Sequence, residues 1–335
     1  MTGTTTTTTT AAVASPVDFA RYGEYTVKTP TASDGGFVRP VYPFTGRVTA
    51  DGSSGYRAEP GRYHLYVSLA CPWAHRSVIA RRLMGLEDVV SLSVVDPVRD
   101  GRGWAFREGP GYTPDPVNGF TLIRQAYDAT EPGYDGHISV PVLWDRRTSR
   151  IVSNHFPDIT IDLETQFGQW ATPGADLYPL ALRPEIDALN ERVYTDVNNG
   201  VYQCGFAATQ AAYDAAVARL FAALDDLDRR LATRRYLFGD ALTEADVRLW
   251  ATLARFDPVY VTHFKANLRR LADYPNLWPY ARDLYQQPAF GGTTDFDHIK
   301  RHYFGTHPRL NPSRIVPAGP LLDWQEPHHR ERLAA

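Results

Sequence analysis

Two cysteines occur in the 335 residues, Cys71 and Cys204. That is too few for a disulfide framework, and neither belongs to a CxxC pair of the kind that binds zinc. Cys71 has the setting of a reactive group. It opens the run Cys71-Pro72-Trp73-Ala74-His75-Arg76, after the β-prone stretch RYHLYVS and before SVIARRLMG, whose apolar residues recur at helical spacing up to Gly85. A cysteine at the first turn of a helix meets unpaired backbone N–H groups and the positive end of the helix dipole, and both favour thiolate over thiol. Pro72 suits the first helical position, where no N–H is needed. Ala74 stands where a dithiol motif would carry its second cysteine, so the expected chemistry is that of a single thiol exchanging with an external one. The competing reading is that Cys71 is a small packed apolar residue, as most free cysteines are.

Cys204 has the choice between resolving thiol and packed residue, and packing is the expectation. His75 lies one turn past Cys71 and is expected to face solvent rather than carry a proton. Thr243-Glu244-Ala245-Asp246 is a capping signature, so Asp246 is read as structural. His298, His302 and His307 lack the carboxylate or cysteine partners of a usual site, and no metal is expected. No Gly-rich segment has the strand-to-helix context of a phosphate loop.

The elements that must position Cys71 follow from texture. The apolar run VVSLSVVD reads as a second, parallel strand after the Cys71 helix. A long loop over 97–118 carries Trp104, a helix covers roughly 122–128, and HISVPVLWDRRTSRIVSN reads as two strands joined at 146–149. The order β-α-β, then α-β-β-α, is the thioredoxin-like plan, in which Val140-Pro141 falls where a cis-proline lies beside the cysteine turn. Beyond about Pro184 the chain becomes helical and rich in Ala, Leu and Arg. The expected fold class is α/β plus all-α, divided into an extended arm (1–60), a thioredoxin-like thiol-binding domain (61–170), an all-helical substrate domain (171–300) and a C-terminal extension (301–335). A net charge of −3 with no basic stripe argues against nucleic acid. No apolar run approaches the roughly 18 residues of a membrane span. The lead MTGTTTTTTTAAVAS has no basic n-region and reads as a disordered polar segment, which makes the cytoplasm the expected location.

Four separated stretches carry a family resemblance. LACPWAHRSVIARRL, VPVLWDRRTSRIVSN, NNGVYQCGFA and HIKRHYFGTHPRLNP, in this order between about 61 and 320, resemble the glutathionyl-hydroquinone reductases, the cysteine-bearing Xi branch of the glutathione transferases. The resemblance implies that Cys71 attacks the sulfur of a thiol-conjugated hydroquinone and is left as a mixed disulfide that a second thiol resolves. It places Trp104 and Arg124 beside the bound thiol, and Val140, followed by Pro141, against the thiol's backbone. It also gives Tyr202 and Tyr303 the quinol oxygens, where phenolic donors stabilise a phenolate leaving group. A homodimer is implied as well.

One departure bears on the co-thiol. Where the family reads SNESSEI and uses Glu and Ser to hold the γ-glutamyl group, this chain reads Ser153-Asn154-His155-Phe156-Pro157-Asp158-Ile159. An imidazole and a phenyl ring do not replace a carboxylate that pairs with an ammonium. Only Lys28, Lys265 and Lys300 of the 35 basic residues are lysines, the bias of a GC-rich genome such as an actinobacterium's. Mycothiol, a sugar thiol without a γ-glutamyl group, is common in such organisms. The expected co-substrate is therefore mycothiol or a related thiol in place of glutathione, and Ser153, Asn154 and His155 are its expected contacts. The expected activity is thiol-dependent reduction of a quinol-like aromatic. The alternatives are a transferase acting on a lineage-specific metabolite through the same cysteine, or a redox-sensing protein on a transferase scaffold.

Overall fold

The computed structural model describes residues 12–26 and 32–333; most of the threonine-rich lead lies outside them. Among its described residues the arm contains one short helix, α1 (Phe19–Tyr22), capped by Asp18, and otherwise only turns and isolated bridges. It is tied to the body at several points. Arg47 and the backbone N–H of Val48 both donate to Asp162, and Thr45 forms a bridge to Ser153.

The sheet is built on β1 (Tyr63–Val67), whose five residues are all buried because both faces are covered. β2 (Ser91–Val94) runs parallel to β1, which requires the helical crossover α2 (Pro72–Leu83) between them. After α3 (Arg124–Thr130), β3 (Val142–Asp145) pairs antiparallel with β1, with Leu65 opposite Leu143. The edge strand β4 (Arg150–Ser153) then pairs with β3. The strand order is β2-β1-β3-β4, and α4 (Phe156–Thr165) completes the thioredoxin-like plan. Gly85, at φ 67, takes the left-handed conformation just past α2 that stops the helix at its expected end.

The second half is helical, with α5 (Arg183–Arg192), α6 (Gly200–Phe206), α7 (Gln210–Arg230), α8 (Glu244–Arg255), α9 (Val261–His263), α10 (Leu277–Tyr285), α11 (Pro288–Gly291) and α12 (Phe296–Thr306). Among the described residues, two π-helical stretches, Val193–Asn198 and Phe256–Tyr260, widen the helical half. Such widened turns gather at functional sites, and here the first leads into the helix of Tyr202 while the second contains Tyr260.

One apolar core lies around the sheet and another among the helices, and Leu83, Tyr202 and Leu242 pack against both. Asp246 holds the start of α8. Its buried carboxylate accepts from Thr243 N and Oγ1, Leu237 N and the Tyr280 hydroxyl. No helix among the described residues is long and apolar enough to cross a membrane.

Candidate active site

Cys71 is the N-cap residue of α2, with extended backbone angles (φ −78, ψ 118) and Pro72 in the first turn. Its side chain is 8% exposed, and Sγ donates to the Val140 carbonyl at 3.5 Å. The Val140–Pro141 peptide, in the loop entering β3, is cis. Burial pushes the Cys71 thiol above the ordinary cysteine value, opposed by the N–H groups of Ala74 and Trp73 and by the charges of Arg255 and Arg99. The sequence expectation that the helix terminus favours thiolate is therefore only half the balance. The helix terminus acts as expected, but desolvation outweighs it.

His75 is fully buried rather than solvent-facing, because α2 is sandwiched between the sheet and α8. Arg255, the last residue of α8, donates to His75 Nδ1 at 3.2 Å, and His75 Nε2 then donates to Thr293 Oγ1 at 3.0 Å. The same guanidinium donates to the carbonyls of Leu69 and Ala70, at 2.8 and 2.9 Å, immediately before Cys71. The helical half thus holds the cysteine turn in place. Sequence reading missed Arg255, which lies 185 residues from Ala70.

On the helical side of the site three tyrosines meet. The Tyr303 hydroxyl is 2.5 Å from that of Tyr202 and 3.0 Å from that of Tyr260. Burial pushes all three above the ordinary phenol value, so they remain protonated donors at neutral pH, and each of Tyr202 and Tyr260 interacts electrostatically with Cys71. Tyr260 was missed by sequence reading; the RFDPVY stretch carries no chemical signature of its own. Phe206 and Phe264 pack around the Tyr202 ring.

Trp104 lies on the long loop, stacked on His302 with centroids 4.9 Å apart, and His302 Nδ1 bonds to the Pro97 carbonyl at 2.8 Å. Arg124 is exposed at the start of α3, where it donates to the Tyr134 carbonyl. Ser153 and Asn154 are buried and engaged with the arm. Ser153 Oγ donates to the Phe44 carbonyl at 3.1 Å, and Asn154 exchanges hydrogen bonds with the Phe44 backbone. His155, half-exposed at the start of α4, lies with Nδ1 2.8 Å from Asp158 Oδ2. Phe156 is buried against Trp73 at 4.5 Å, and Arg39 of the arm lies over both Trp73 (4.3 Å) and Tyr202 (4.6 Å).

Cys204 is buried in the helical core, its thiol pushed up to about 12 by desolvation. His298 bonds to the Pro110 carbonyl and His307 to His263. Among the described residues no group of three or more His, Cys, Asp or Glu side chains is placed to hold a metal ion.

Residues 210–283 match the family model described as glutathione S-transferase, C-terminal domain. The glutathionyl-hydroquinone reductase YqjG of Escherichia coli is 48% identical over 309 residues, covering 90% of this chain and 94% of that protein. Its glutathione-bound structure superposes with a TM-score of 0.84, over 89% of this chain and 98% of the other. The glutathione transferase Xi of Phanerochaete chrysosporium is 48% identical, with a TM-score of 0.82 over 85% of this chain and 98% of that one.

Proposed function

Because the chain belongs to the glutathionyl-hydroquinone reductases, the Xi class of glutathione transferases, we propose that Cys71 takes the thiol part of a thiol–quinol adduct as a mixed disulfide. The observation that carries this reading is one buried thiol at a helix terminus, interacting electrostatically with two members of a connected trio of tyrosine hydroxyls.

In the keto tautomer of the adduct, a proton has moved from a phenolic oxygen to the ring carbon that bears sulfur. Cys71 thiolate attacks that sulfur, the S–S bond forms, and the C–S electron pair moves into the ring to give a phenolate. The ring is reduced and the two sulfurs are oxidised to a disulfide. Tyr202 and Tyr303, with Tyr260 behind them, donate to the developing phenolate oxygen. A second small thiol, as thiolate, then attacks the mixed disulfide and releases Cys71, leaving the external thiol as its disulfide. Trp104 forms the wall beside the bound thiol, and Val140 offers its backbone to it. Pro141 shapes that loop, and Arg124 stands at the outer edge. Cys71→Ser is expected to abolish turnover of a thiol-conjugated hydroquinone while circular dichroism stays unchanged; undiminished activity would rule out this mechanism.

The co-thiol is a low-molecular-weight thiol. Mycothiol is favoured over glutathione because the start of α4 offers no free carboxylate for a glutamyl ammonium. Asp158 is engaged by His155 and Arg47, and Phe156 is packed on Trp73. Half-exposed His155 would then meet the sugar hydroxyls, while Ser153, whose Oγ accepts from the His155 N–H, and Asn154, tied to Phe44, hold it in place. Isothermal titration with each thiol tests this, and micromolar glutathione binding without mycothiol binding would contradict it. The reading also includes a homodimer, checked by sedimentation velocity against the 37.5 kDa of one chain.

A further inference from the structure

One charged group in the pocket has no counterpart in the mechanism above. Arg99 sits on the long loop five residues before Trp104 and is 8% exposed. Its guanidinium is sandwiched between the ring of Tyr25 from the arm, 4.2 Å away, and that of Trp104, 4.4 Å away. Among the described residues no carboxylate pairs with it, and its Nε is buried without a hydrogen-bond partner. The other arginines of this loop are differently placed, since Arg102 is paired with Asp100 and Arg107 with Asp96. The Arg99 charge also interacts with Cys71, Tyr202 and Tyr303, the residues assigned to the reaction, and with His137, His302 and His307.

A buried cation left without an anion is costly unless a ligand supplies one. Flat aromatic faces above and below leave the edge of the guanidinium as its binding direction, the fork geometry that suits a carboxylate. We propose that Arg99 is a specificity-determining residue that binds a carboxylate of the substrate. This rests on the reading of the pocket as the thiol–quinol site. The carboxylate belongs to the aromatic ring, because the Arg99 charge interacts with the quinol tyrosines as well as with Cys71, and the preferred acceptor is a carboxylated hydroquinone. A carboxylate on the thiol is the second source of the same chemistry.

Binding of the released product tests the proposal independently of turnover, and so separates its failure from failure of the Cys71 mechanism. Calorimetric titration of the full-length protein uses 2,5-dihydroxybenzoate, unsubstituted hydroquinone and glutathione, each with the native chain and with Arg99→Met. The carboxylated ring is expected to bind the native protein at least about tenfold more tightly than hydroquinone, the scale of one charge-assisted hydrogen bond. In Arg99→Met that ratio is expected to fall to near one, with partial recovery in Arg99→Lys. If the substitution instead weakens glutathione about tenfold and leaves the quinol ratio as it was, the carboxylate is that of the thiol. A native protein that binds the two rings equally, together with glutathione binding unaffected by the substitution, overturns the proposal.

Discussion

At the scale of single residues, the chemistry is a contest over Cys71. Two N–H groups of α2 and two arginines favour the thiolate, and burial opposes them more strongly. A thiol held above its usual value of about 8.5 is mostly protonated at neutral pH, and the nucleophilic fraction grows as pH rises. The free-enzyme profile of kcat/KM is therefore expected to climb through and beyond pH 8.5. The phenols are held above their ordinary value, so no loss of donors intervenes near that pH. A profile already flat from pH 7 upward would contradict the desolvation balance. Tyr303 bonds to both other phenols. Replacing Tyr303 by Phe removes a donor to the phenolate and is expected to lower kcat by about ten- to a hundredfold, with a smaller change in KM. Steady-state kinetics on a thiol-conjugated hydroquinone measures both constants.

At the scale of elements, α8 holds the site together. Its last residue, Arg255, grips the carbonyls before Cys71 and orients His75. Arg255→Met leaves those acceptors without donors and removes a positive charge that favours the thiolate. The midpoint of Cys71 alkylation by iodoacetamide is expected to move to higher pH, with Arg255→Lys in between; an unmoved midpoint would limit Arg255 to a structural role. The other end of α8 depends on Asp246, and Asp246→Ala is expected to cost about 3 kcal/mol or more in urea unfolding, since four buried donors lose one acceptor. How much could be read from sequence divides along the same line. The β1-α2-β2 unit, its cysteine and the glycine stop at Gly85 follow from local pattern, because turn chemistry and apolar periodicity act over a few residues. Arg255, Tyr260 and Arg99 acquire their roles only when segments far apart in sequence meet. The exposure expected for His75 failed for that reason, since nothing in CPWAHR shows that α8 will cover it.

At the scale of the whole molecule, the arm and the two halves meet beside Trp73 and Tyr202. Arg39 spans the seam, lying over Trp73 on the sheet side and Tyr202 on the helical side and donating to Asn199 at 2.8 Å. Desolvated cation–π contacts are worth about 2 kcal/mol. Arg39→Ala is therefore expected to raise KM about tenfold while the far-ultraviolet spectrum stays the same, and an unchanged KM would show that the arm does not close the site. The central claim is that Cys71 itself carries the thiol between substrate and product. Intact-mass spectrometry after mixing the protein with a thiol-conjugated hydroquinone, with no second thiol present, tests it most directly. The account predicts one equivalent of free hydroquinone and one thiol-sized mass increment that maps to Cys71 and is absent in Cys71→Ser; hydroquinone released without any increment, or an increment on Cys204 instead, would contradict it.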